Sequence, residues 1–104
     1  MSERLYSIVM HTPIGLKRGT LTVKVSGKYM KGWLDVLGHR EPIAGMIDSE
    51  GKCSFTGTFT TLMRKVSYKA TGVLTESDAH LQIKDERNVY DIIGGLCVTE
   101  EKQI

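Results

Sequence analysis

Apolar and polar residues alternate one by one along almost the whole chain. In Thr20 to Val25, for example, Leu21, Val23 and Val25 interleave with Thr20, Thr22 and Lys24. A period of two suits a strand with one face buried and one wet, and it rules out an amphipathic helix over the same residues. The pattern predicts strands over Leu5 to His11, Lys17 to Val25, Tyr29 to Leu37, Pro42 to Ile47, Lys52 to Thr61, Lys65 to Leu74, Ala79 to Lys84 and Asn88 to Val98. Between them stand turn signals, among them Ser26-Gly27-Lys28, Gly38-His39-Arg40, Asp48 to Gly51, Glu76-Ser77-Asp78 and Asp85-Glu86-Arg87. Short strands joined by short turns form a meander, and closing the meander on itself removes its two open edges. The expected fold is therefore all-β, a small up-and-down antiparallel barrel of about eight strands. A two-sheet sandwich of the same strands is the alternative.

With 104 residues, 40% of them hydrophobic, the chain builds one domain around one core. A net charge of only +2 with that apolar content excludes disorder. Apolar runs such as Ile8 to Met10 are far too short for a helical membrane span. The opening Met1-Ser2-Glu3-Arg4 leads into a strand pattern with no apolar leader, so the expected location is the cytoplasm and no membrane partner is expected. The 14 basic and 12 acidic residues are interspersed along the chain, the pattern of a solvated surface. Only Lys28 and Lys31 around Tyr29 and Trp33 hint at a nucleic-acid site, and no nucleic-acid partner is expected on that pattern.

A shift of 49 residues keeps the buried phase of every expected strand, laying Tyr6 on Phe55, Met10 on Phe59, Val25 on Leu74, Leu34 on Ile83 and Ile47 on Leu96. A one-residue slip would invert the face. Two four-strand repeats are therefore expected, about 1–49 and 50–98, followed by a tail at 99–104. The inward set begins in each strand with Tyr6, Gly19, Met30, Ile43, Cys53, Val66, Ala79 and Ile92 and repeats every second residue, and it contains no charge. Parity sends Cys53 inward and Cys97 outward, so both are expected as free thiols. Six glycines share the inward face, where they serve either sharp coiling with tight packing or a small apolar cavity.

No catalytic motif is present: no Cys-x-x-Cys, no His-x-x-x-His, no phosphate loop opening a helix and no serine elbow. His11, His39 and His80 do not converge by phase, so no metal, no cofactor and no enzymatic activity are expected. In a meander, alternate turns share one rim, which here gathers His11, His39, Arg40, Arg64 and Arg87 against Glu41, Asp85 and Glu86. The candidate ligand site is the barrel interior and this rim: Tyr6, Met30, Phe55, Phe59 and Tyr68 for the apolar part of a small hydrophobic ligand, and His39, Arg40 and Arg64 for an anionic head group. Outside, Tyr29, Trp33 and Leu37 on one strand and Met46 on the next form an apolar stripe, a candidate homodimer interface.

Several segments also carry a resemblance. Thr12-Pro13-Ile14-Gly15, then Gly-Thr-Leu-Thr-Val, a Val-Ser-Gly-Lys turn, Ile-x-Gly-x-Ile-Asp, Phe-Thr-Gly-Thr-Phe and a second Thr-Leu-Met-Arg loop resemble a family of small bacterial lipocalin-like domains with tandem Thr-Pro-Met-Gly repeats. The resemblance spans nearly the whole chain and implies a calycin-like barrel with no assigned reaction. Some of the similar domains lie next to flavin-dependent reductases, which implies an interaction module on a redox enzyme as the alternative to ligand binding. The second loop departs from the repeat at Leu62 and Arg64.

Overall fold

A computed structural model describes residues 2–36, 38–60 and 65–99, and among these there is no helix. The strands are β1 (Ser2–Thr12), β2 (Gly15–Ser26), β3 (Tyr29–Val36), β4 (His39–Ile47), β5 (Lys52–Thr60), β6 (Lys65–Leu74), β7 (Asp78–Lys84) and β8 (Val89–Thr99). Each pairs with the next, and β8 returns to β1, closing an antiparallel up-and-down barrel. Closure satisfies both edges of the sheet, as the meander pattern requires.

Four strands start earlier than the alternation suggests, β7 by one residue, β2 by two, and β1 and β4 by three. β1 reaches back to Ser2 because β2 pairs with it as far as Val25. β4 starts at His39, ahead of Pro42. Proline has no N–H to give a ladder, and Pro42 lies in the stretch of β4 that β5 leaves unpaired, since the β4/β5 ladder runs only from Ala44 opposite Thr56 to Ile47 opposite Cys53.

The inward phase builds the core. Tyr6, Ile8, Met10, Leu21, Val23, Met30, Leu34, Ile43, Phe55, Tyr68, Leu74, Leu81, Ile83 and Ile92 are all buried, and among the described residues no polar or charged residue is. Val25, Tyr90 and Leu96 pack on this core half-buried.

Hairpin registers coincide between the two halves under the 49-residue shift. Tyr6 faces Leu21 as Phe55 faces Ala70, Thr20 faces Asp35 as Lys69 faces Lys84, and Tyr29 faces Met46 as Asp78 faces Gly95. The seams between halves differ. Ala44 faces Thr56, but its counterpart Ile93 faces Val9 and not Ser7, and a bulge between Leu5 and Tyr6 accompanies the offset.

The inward glycines are sites of close strand approach. A Cβ on Gly19, Gly32, Gly45, Gly72 or Gly94 would stand 1.8–2.3 Å from the carbonyl oxygen of a neighbouring strand, and on Gly57 it would stand 2.4 Å from the Tyr68 hydroxyl. These positions are filled, not open. Glycine also changes sides between the halves: Gly19 faces Ile8 where Gly57 faces Tyr68, and Gly32 faces Val23 where Gly72 faces Leu81. Each such pair sets one bulky side chain against none.

Gly45→Ala tests this packing, because its methyl would meet Ser54 O at 2.0 Å and Phe55 Cα at 2.5 Å. The expected loss is about 1–3 kcal/mol, as for other overpacked cores, and a melting temperature lower by roughly 4 °C or more. Thermal denaturation followed by circular dichroism measures it; an unchanged midpoint would refute close approach at this site.

Candidate functional site

Side chains fill the middle of the barrel, and open space lies at its ends. Tyr6, Met30 and Phe55, candidates for a ligand-lined interior, are shut into the core at 0%, 2% and 1% exposure. Tyr6 is anchored as well: its hydroxyl donates to the Thr75 carbonyl at 2.5 Å, and Arg4 Nη1 donates to that hydroxyl at 3.3 Å.

At one mouth the structure brings Phe59 and Tyr68 together, their rings stacked with centroids 4.5 Å apart. Tyr90 joins edge-on, 6.2 Å from Phe59, an arrangement that suits the ring quadrupoles. Beside them opens an apolar cleft of about 290 Å³ with Met10, Phe59, Val66 and Tyr90 in its wall, Ile14 above, and Lys17 and Asp85 at its edge. Met10 and Phe59 are counterparts under the 49-residue shift, so the cleft draws on both halves.

Two turns shape this mouth. Thr12 Oγ1 donates to the Gly15 carbonyl at 2.7 Å and accepts from Ile14 N at 3.3 Å, while Gly15 takes a φ of 123°. That hairpin projects Ile14, 83% exposed, over the cleft. Across the mouth, Asp85 Oδ1 accepts from Arg87 N at 2.8 Å and Asn88 N at 2.7 Å, an Asx turn, and Oδ2 accepts from the Tyr90 hydroxyl at 3.5 Å. Burial, then the Asp85 charge, push the Tyr90 phenol above its usual pKa, so it stays a proton donor.

Behind Phe59 stands a polar group with nothing to bond. The buried Tyr68 hydroxyl, lying over Gly57, has no hydrogen-bond partner among the described residues. Burial first, and the Glu41 carboxylate second, hold its pKa far above that of free tyrosine. Glu41 itself accepts from Thr60 Oγ1. Glu41 and Tyr90 continue the inward phase of β4 and β8 by two residues beyond Ile43 and Ile92. The expected inward set stopped short of both, and its freedom from charge is corrected by the half-buried Glu41.

His39 is exposed at the start of β4. Arg40 turns away to the outer surface, its guanidinium 5.1 Å from the Trp33 ring centroid, and does not face the mouth as a head-group anchor would. Arg64 and Leu37 lie outside the described residues. On the outer face Tyr29 and Met46 are direct cross-strand partners, 67% and 52% exposed, with Trp33 two positions further along the same face of β3 from Lys31.

The opposite end is a wider cup of about 690 Å³. Val25, Ile47 and Leu74 floor it, but Arg4, Lys28, Asp48, Glu50 and Glu76 ring it with mixed charge. Near it, burial and then Asp48 raise the Cys53 thiol to about 11, so it is a poor nucleophile at neutral pH. Cys53 and the exposed Cys97 are both free. Among the described residues no three His, Cys, Asp or Glu side chains gather as metal ligands, and no helix is long and apolar enough to cross a membrane.

These features define a closed eight-stranded antiparallel barrel with a packed centre and an aromatic mouth. Comparison with protein-family models, with curated proteins and with solved structures finds no match.

The raised thiol and phenols fix the sign of an alkaline effect. The unfolded chain ionises Cys53 near 9 and Tyr68 near 10, while the native chain still holds both protons. Stability therefore falls as pH rises from about 9, and for Cys53 the loss is complete above about 11. Urea melts between pH 8 and 11 should show this slope, and Tyr68→Phe should flatten its upper part; a slope unchanged by Tyr68→Phe counts against the assignment.

Proposed function

We propose that the protein is a binding module with no reaction of its own, working in the cytoplasm, and that a small planar apolar molecule docks at the Met10/Phe59/Val66/Tyr90 mouth. The observation that carries this reading is the aromatic cleft between the Thr12 and Asp85 turns. Its volume of about 290 Å³ sits at the low end of small-molecule sites, roughly 300–1,000 Å³. One or two fused rings fit there, lying against Phe59 or Tyr90. A long acyl chain is disfavoured, because Tyr6, Met30 and Phe55 occupy the barrel where it would run. Lys17 offers a donor, and the Tyr90 hydroxyl, its proton turned to Asp85, an acceptor to a polar edge of the ligand.

Methyl and amide NMR during titration with indole, naphthalene derivatives and flavin tests it. Shifts centred on Met10, Ile14 and Val66 are expected, and Tyr90→Ala should weaken binding about tenfold or more, the cost of losing most of one buried aromatic contact. Shifts scattered over the outer strands, or none at all, would remove the reading.

A second reading rests on Tyr29 and Met46, which leave apolar surface open on adjacent strands beside Trp33. Such a stripe suits a protein contact, with a second copy of this chain or with a redox enzyme. Met46→Glu should then turn a dimer into a monomer in sedimentation velocity while mouth binding persists. A wild-type protein that is monomeric at 100 micromolar would exclude self-association.

A further inference from the structure

The strand registers assemble a row of basic side chains that the linear order conceals. Lys24 faces Lys31, Lys31 faces Ala44, Ala44 faces Thr56, Thr56 faces Lys69, and Lys69 faces Lys84. All six side chains point outward, with Lys31, Lys69 and Lys84 exposed and Lys24 half-buried. At one strand spacing per step the row runs about 24 Å round the barrel. It contains two pairs of lysines placed directly opposite each other, an arrangement that destabilises a sheet. Within β2 to β6 neither flanking row holds a carboxylate: one is Ser26, Tyr29, Met46, Ser54 and Thr71, and the other holds Thr22, Trp33, Pro42, Thr58 and Ser67. Carboxylates stand at the two ends, with Glu3 directly opposite Lys24 at one, and Asp91, opposite Gln82, and the Asp85-Glu86 turn near Lys84 at the other.

Two further features lie on the same row. Tyr29 and Trp33 flank Lys31 along β3, both exposed, and the Arg40 side chain, opposite Asp35 on the ladder, lies over the Trp33 ring and must swing aside or share that ring for a base to stack. Between Lys24, Tyr29, Lys31 and Ala44 the surface sinks into a groove of about 420 Å³.

We propose that this row binds single-stranded nucleic acid, the lysines following the phosphates while Tyr29 and Trp33 each stack a base. Alternating cations and exposed aromatic faces are the combination such chains require. The row bends round a convex barrel only about 20 Å across, so a flexible strand can follow it where a stiff duplex cannot. A two-fold contact spread over the whole row would set lysine against lysine, so a second copy docked on Tyr29 and Met46 of β3 and β4 leaves Lys69 and Lys84 uncovered. The site overlaps the self-association face at Tyr29 and Trp33, but Lys69 and Lys84 lie outside that face and separate the two readings.

Fluorescence anisotropy of the full chain with labelled 12-nucleotide oligo-dT and oligo-U, together with emission from Trp33, the chain's single tryptophan, tests the proposal. Binding should quench Trp33. Its affinity should fall with salt at a log–log slope of about −3, as four lysines on single-stranded phosphates imply. The double variant Lys69→Gln/Lys84→Gln should bring the slope to about −1.5. Trp33→Ala should keep the slope and weaken binding roughly tenfold. Absence of binding at 20 mM salt overturns the proposal, as does a double variant that binds like the wild type with an unchanged slope. Equal binding of polyglutamate or heparin without Trp33 quenching overturns it in favour of general anion attraction, and preference for a duplex overturns the single-strand assignment. Circular dichroism of the variants confirms that lost binding is not lost folding.

Discussion

Closing eight short strands into one ring of ladders is the constraint on which everything else in this molecule depends. A barrel of this size leaves little width at its axis, and inward side chains of ordinary volume on every strand would overfill it. The chain meets the difficulty by setting a glycine opposite a bulky residue, Gly19 against Ile8, Gly32 against Val23, Gly57 against Tyr68 and Gly72 against Leu81. Neighbouring carbonyls then approach where a Cβ would otherwise stand. Tight strand approach and a packed centre are one solution seen from two sides, and the packed centre moves any ligand chemistry to the ends and the outer surface.

The interior is also chemically quiet. The Cys53 thiol and the Tyr68 phenol are both held protonated by burial, with a nearby carboxylate acting in the same direction. Charge that is absent from the core is spent on the rim and the outer strands. There it caps turns, as Asp85 does, or lies on an aromatic ring, as Arg40 does.

Much of this was legible from alternation alone. Period two identifies which face of Leu21, Val23 and Val25 is buried without any knowledge of the partner strand, and the phase kept under a 49-residue shift anticipates matching hairpins. Strand ends were less legible, because parity carries no signal for where pairing stops: Glu41 and Tyr90 obey the inward phase, yet turn residues nearby mask it. Registers between strands distant in sequence were not legible at all. Lys69 and Lys84 are separated by the whole of a hairpin, and nothing in their local sequence shows that they share a row with Lys24 and Lys31. A pattern read along the chain sees charges interspersed; the ladder sorts them.

The two seams that join the halves are unequal. Among the described residues β8 and β1 are held by eight paired positions, whereas β4 and β5 share four, and the Pro42 stretch of β4 stands beside β5 without a ladder. A closed ring under thermal agitation or tension parts where it is least stitched. The barrel thus has one lightly laddered seam at its midpoint in sequence, bridged there by the Thr60 to Glu41 side-chain bond, while the seam where its first and last strands meet carries twice as many paired positions among the described residues.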